Sequence, residues 1–146
     1  MAPEDPLIYP EHYPPTDKWK KFFIGVRGLG PDLSFFRDLQ RQQAGRADEL
    51  MSAWRDPIER GIALEFGQLL HSTLGWPTPY FLPEDRWTVI GSGPTFEAVD
   101  YLGLGAAVIE LERRRGVQLP NEFWESHAFE TFGQVVSAVT ALLPRV

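Results

Sequence analysis

Three histidines, His12, His71 and His127, are the side chains of this 146-residue chain best suited to proton transfer near neutral pH, and there is no cysteine. A histidine could act as a general base or a metal ligand, but none of the three has a second ligand at metal-binding spacing. Each reads as a surface or partly buried histidine. Without cysteine there is no thiolate nucleophile, thiolate metal site or disulfide framework. The acid pairs Glu84 and Asp85, and Glu110 and Glu112, could imitate a carboxylate dyad. At (i, i+1) and (i, i+2) they do not face each other, so solvated charge is expected. Gly28-Leu29-Gly30 and Gly103-Leu104-Gly105 each offer half of a dinucleotide fingerprint. Neither completes GxGxxG after a strand, so both read as turn or packing glycines. Ser92, in Gly91-Ser92-Gly93, reads as part of a chain reversal with glycines at positive φ. In Glu122-Phe123-Trp124-Glu125 the aromatic residues are expected to close a core. No nucleophile and base can be paired, so catalysis is not expected.

The composition, 43% hydrophobic and 23% charged, is that of one ordinary globular domain with a real core. The formal net charge is -6. It is unevenly placed: residues 1–56 carry nine acids and eight bases, and residues 57–146 carry eleven acids and six bases. An acidic second part argues against a nucleic-acid partner, which needs a cationic footprint. The exception, Arg113-Arg114-Arg115, is explained by complementing the dipole at a helix C-terminus. No apolar run approaches a membrane span, and the start Met1-Ala2-Pro3-Glu4-Asp5-Pro6 is acidic where a signal peptide would be basic and then apolar. A cytoplasmic protein without membrane contact is the expectation.

The elements that would position these residues are helical. Residues 1–15 hold Pro3, Pro6, Pro10, Pro14 and Pro15 with Tyr9 and Tyr13, a pattern for an arm lying extended over a surface. Helical spacing starts at Thr16 with Trp19, Phe22, Phe23, Val26 and Leu29, until Gly28, Gly30 and Pro31 interrupt it. A second helix carries Leu33, Phe35, Phe36 and Leu39 up to Gly45, and a short third includes Leu50, Met51 and Trp54. Asp56-Pro57-Ile58-Glu59 combines an N-cap acid, a proline at the first helical position and a glutamate three residues on. It starts a helix through Ile62, Phe66, Leu69 and Leu70 that stops near Gly75. A long loop, Trp76 to Pro94, follows. The next helix begins between Thr95 and Leu102 and ends at Gly116. Thr131-Phe132-Gly133-Gln134 is a capping box that opens a final helix through Val135, Val136, Val139 and Leu142.

Residues 100–120, from Asp100-Tyr101-Leu102 through Leu111-Glu112 to Gly116-Val117-Gln118-Leu119-Pro120, resemble the second helix of an acyl carrier protein. Pro57 to Leu74 resembles that family's first helix, Phe81-Leu82-Pro83-Glu84-Asp85 its following loop, and Thr131-Phe132-Gly133-Gln134-Val135-Val136 the start of its last helix. The resemblance implies an all-α, carrier-like four-helix domain over residues 57–146, with a helical, Pro-rich N-terminal extension over residues 1–56. It also implies where phosphopantetheine would be attached, at a serine following Asp100. Tyr101 stands there instead, and a phenol that is bulkier and reaches further out is not expected to be modified. Ser92 is the alternative attachment residue, nine positions early.

The expected function is therefore a non-catalytic, carrier-like protein-binding module that has lost phosphopantetheine, with no cofactor and no metal. The alternatives are a working carrier with an unorthodox attachment residue and a small acidic inhibitor or immunity-type protein. The binding surface is expected on the second carrier-like helix at Tyr101, Gly103, Gly105, Ala106, Arg113 and Arg114, where small residues let another backbone approach. The partner is a protein of unspecified identity; a homo-oligomer stays open.

Overall fold

The computed structural model describes residues 2–10, 13, 33–94, 101–124 and 129–143, without the side chains of Tyr101, Leu102, Glu122 and Trp124. The helix expected from Thr16, and Gly28, Gly30, Asp100, His12 and His127, lie outside these residues. The regular elements are α1 (Phe35–Ala44), a 3-10 turn (Asp48–Ala53), α2 (Pro57–Leu74), α3 (Trp87–Ser92), α4 (Tyr101–Arg115), a second 3-10 turn (Asn121–Trp124) and α5 (Phe132–Leu142). The described residues form an all-α fold whose extended pairing is a single antiparallel bridge between Arg86 and Thr131. No helix among them is long and apolar enough to cross a membrane.

α2 is the central helix, and its ends follow local chemistry. The Asp56 carboxylate accepts the Ile58 amide at 2.9 Å, Pro57 occupies the first turn, and Gly75 ends the helix in the left-handed region at φ 85°. Arg60 reaches back to the Trp54 carbonyl, from Nη2 at 2.6 Å and from Nε at 3.0 Å, fixing α2 to the first 3-10 turn. α4, α5 and α3 pack around α2. Two glycines admit close contacts at α2, Gly67 with the segment after the helix and Gly103 from α4. A Cβ on Gly67 would lie 2.1 Å from the Pro79 carbonyl oxygen, and one on Gly103 would lie 2.7 Å from Leu74 Cδ2.

The core is aromatic at its centre. Phe132 stacks on Trp87 with ring centroids 6.0 Å apart and meets Phe66, Phe81 and Trp54 at 5.7–5.9 Å. Leu7 of the arm, Leu39 of α1 and Met51 and Trp54 of the first 3-10 turn belong to the same buried cluster as the residues of α2, α4 and α5. Burial of such side chains stabilises the fold by about 1.5–3 kcal/mol each.

Three expectations need correction. The segment Trp76–Pro94 is not a loop throughout, because Trp87–Ser92 forms α3. Trp87, Val89 and Ile90 are buried in the aromatic core, which stabilises a helix too short to show periodicity. Within Gly91-Ser92-Gly93 only Gly93 has a positive φ, at 87°, while Gly91 is helical. Asp85, read as solvated charge, is fully buried, while its neighbour Glu84 is exposed.

Candidate functional site

Arg46, just past the glycine that ends α1, is a buried hub. Its guanidinium uses all five N–H donors: Nε donates to the Pro3 carbonyl at 2.8 Å, Nη1 to the Tyr80 carbonyl at 3.2 Å, and Nη2 to the Asp5 carbonyl at 2.9 Å. Nη1 and Nη2 also donate in parallel to the two oxygens of Asp85 at 2.6 and 2.8 Å. Both side chains of the pair are completely buried. Asp85 is equally saturated, since Oδ1 also accepts the Leu7 amide at 2.8 Å and Oδ2 the Leu82 amide at 2.7 Å. A buried charge pair is tolerated only when its remaining donors and acceptors are met in this way. Gln43 adds a second set of ties, donating to the Thr78 and Tyr80 carbonyls and accepting the Thr78 amide. The clasp fixes the arm against residues 78–85.

Clasped in place, the arm becomes one wall of a groove. The Leu7 carbonyl accepts the Arg86 amide at 2.9 Å, and on the other side of Arg86 the Trp87 amide donates to Glu130 and the Phe132 amide to Asp85. Three segments thus lie side by side, 6–8, 85–87 and 130–132. The groove, of about 1070 Å³, runs from this edge across the start of α5 to the start of α2. Pro6, Ile8, Trp54, Pro83, Phe129 and Gly133 supply apolar lining. Ile8, Arg86, Phe129 and Glu130 also line an adjoining hollow of about 410 Å³ beside Tyr9, so the depression is elongated.

The rim is charged. Four carboxylates, Asp56, Glu59, Glu84 and Glu130, face two guanidinium groups, Arg55 and Arg86, for a formal balance of minus two. Asp56 caps α2, and Glu59 accepts the Ser137 hydroxyl at 3.0 Å. The side chains of Glu84, Glu130, Arg55 and Arg86 make no hydrogen bond or ion pair among the described residues. At the floor, Thr131 accepts the Gln134 amide, while Gln134 reaches back to the Glu130 amide and not to that of Thr131 itself.

The surface expected on α4 is divided. Gly103 is used within the chain against Thr73 and Leu74, and Gly105 is buried. Ala106, Arg113 and Arg114 are exposed beside Ile109, which is 53% exposed. Both arginines pair with Glu110, holding its carboxyl well down at about 2, and Arg115 pairs with Glu65 at 3.0 Å. Tyr101 is the first residue of α4; its side chain lies outside the described residues, as does Asp100. Ser92 is exposed at the C-terminal end of α3, beside the Tyr9 phenol. Burial pushes Tyr9 up to about 12, with Ser92 opposing that shift and Tyr13 adding to it. His71 is exposed, its Nδ1 in contact with the Trp76 carbonyl. Among the described residues no cluster of three His, Asp or Glu side chains is placed to hold a metal ion.

No family model, no curated protein and no solved structure matches this chain. Nothing in these comparisons links it to the acyl carrier proteins.

The clasp and the groove were missed from the sequence. Arg46 and Asp85 are 39 residues apart, and no local pattern pairs them. One local signal existed: Asp85 closes a turn in which its own amide donates to the Leu82 carbonyl while its carboxylate takes the Leu82 amide, as Asp does after a Pro-containing bend.

Proposed function

We propose that this chain is a non-catalytic protein-binding module, carrier-like in its helix order but without phosphopantetheine attachment. The observation that carries this reading is the elongated groove, whose rim holds carboxylates and guanidinium groups without partners among the described residues. The polar groups of the clasp are bound to each other, whereas Glu84, Glu130, Arg55 and Arg86 of the groove are available to a second molecule. The groove, of about 1070 Å³, is an open surface feature suited to a polypeptide.

The order α2, long connection, α4, 3-10 turn, α5 supports a carrier-type four-helix arrangement. The loss of attachment is supported by Ser92. A carrier presents its serine at a helix N-terminus, and Ser92 lies at the opposite end of a helix. The acidic rim also suits an inhibitor of a cationic target, which is a protein-binding function of the same kind. The test is the intact mass of the protein after incubation with coenzyme A and a broad-specificity phosphopantetheinyl transferase. An unchanged mass is expected; a phosphopantetheine increment would overturn the reading and return the protein to carrier function.

A further inference from the structure

We infer that the groove takes an extended, basic segment of a partner protein, laid along the arm with an apolar side chain over Ile8 and cationic side chains at Glu84 and Glu130. This rests on the protein-binding reading and specifies the partner. Shape is the first argument. Two adjoining hollows share Ile8, Arg86, Phe129 and Glu130, giving a long shallow track in place of a single cavity. A ligand that fills both must be elongated.

Backbone chemistry is the second argument. Leu7 directs its amide to Asp85 and its carbonyl to Arg86, so the arm is extended where it crosses the bundle. In an extended chain the next residue directs its polar groups to the opposite side. Ile8 makes no backbone hydrogen bond among the described residues, and its side chain is 51% exposed. It is therefore one open position of a strand edge, able to exchange hydrogen bonds with an incoming extended segment. Pro6 has no amide hydrogen to add, which confines the pairing to Ile8 and leaves side chains to supply most of the recognition.

Charge is the third argument. The four rim carboxylates outnumber the two arginines, Glu84 and Glu130 have no hydrogen-bond or ion-pair partner among the described residues, and the whole chain carries a net charge of -6. Such a field attracts a cationic segment and repels an acidic one. Arg86, between the two hollows, is free to donate to carbonyl groups of the segment's backbone.

The experiment is an NMR titration of the full-length isotope-labelled protein at low salt with a synthetic peptide of alternating lysine and valine, compared with its glutamate–valine counterpart. Shift changes are expected at the amides of Ile8, Glu84, Glu130 and Gln134 with the lysine peptide alone. The E84R/E130R double variant, whose parent side chains make no hydrogen bond or ion pair among the described residues, is expected to keep its circular dichroism and to bind about tenfold more weakly. Changes centred on Ala106 to Arg114, a response spread over every surface carboxylate, an equal response to both peptides, or no response would each overturn the proposal. Relocation to Ala106 to Arg114 would leave the protein-binding reading standing, whereas a phosphopantetheine mass increment would remove that reading whatever the titration gave.

Discussion

Replacing Asp85 with asparagine changes one atom and should cost this protein a large part of its stability. The carboxylate accepts four hydrogen bonds, two at each oxygen, at 2.6–2.8 Å. Asparagine keeps one accepting oxygen. Its NH2 group, whichever way the amide turns, points two hydrogens at two donors, one from Arg46 and one from the Leu7 or Leu82 amide. Two charge-assisted bonds are lost, at about 1.5–3 kcal/mol each, and Arg46 keeps a charge in a site with no access to water. That agrees with the roughly 3–5 kcal/mol cost of breaking a buried ion pair. For a domain of this size the loss corresponds to a fall in Tm on the order of 10–20 °C. Urea denaturation followed by circular dichroism gives the free energy, and hydrogen exchange gives its location. The Leu7 amide, which donates to Asp85, should exchange much faster in D85N. A double variant with leucine at both Arg46 and Asp85 should be less destabilised than the sum of the two single variants, by about 1–3 kcal/mol, because neither charge is then stranded. A D85N protein within about 1 kcal/mol of the parent, with Leu7 still protected, would refute the clasp, since one ordinary hydrogen bond is worth that much.

Gly67→Ala and Gly61→Ala, two substitutions on α2, should move stability in opposite directions. The first puts a methyl group 2.1 Å from the Pro79 carbonyl oxygen and should cost about 1–3 kcal/mol or more; the second meets nothing within 4 Å and should gain about 0.5–1 kcal/mol, both read by urea denaturation. Alkaline titration followed by phenolate absorbance should show Tyr9 ionising near pH 12. Because its folded value lies above the ordinary 10, stability should be intact below pH 10 and fall as pH rises from 10 toward 12; a flat profile there would contradict its burial. The Glu110 side chain, followed by carbon NMR at low salt, should titrate near pH 2 because Arg113 and Arg114 favour its charged form. On this exposed face added salt should raise that midpoint toward the ordinary range, and no salt response would contradict the ion pairs.

Legibility from sequence followed the range of each interaction. α2 was readable because its start and stop depend on adjacent residues, Asp56 with Ile58 and Gly75 with its own positive φ. The Thr131 cap of α5 was readable for the same reason, as was the end of α4 at Gly116, whose φ is 65°. α3 was hidden because six residues carry no helical period, and the burial of Trp87, Val89 and Ile90 against distant aromatic residues decides their conformation. The arm was readable as extended, but the burial of Leu7 depends on Asp85, 78 positions away in the chain. The small residues of α4 were read as places where another backbone approaches. At Gly103 the approaching group is Leu74 of the same chain. The groove could not be read because its walls come from four separate segments that meet only in the folded chain, through the Arg46–Asp85 clasp, backbone bonds at Arg86, Trp87 and Phe132, and the aromatic core.

The central claim, that this chain works by binding another protein through an exposed surface, is tested most directly by quantitative affinity capture from cells of the source organism. The full chain would be compared with the E84R/E130R and R113E/R114E variants. A stoichiometric partner held by the parent and lost with E84R/E130R, but retained by R113E/R114E, is the predicted result. A parent chain that recovers no partner beyond those of an unrelated control, in amounts that both variants leave unchanged, would contradict it.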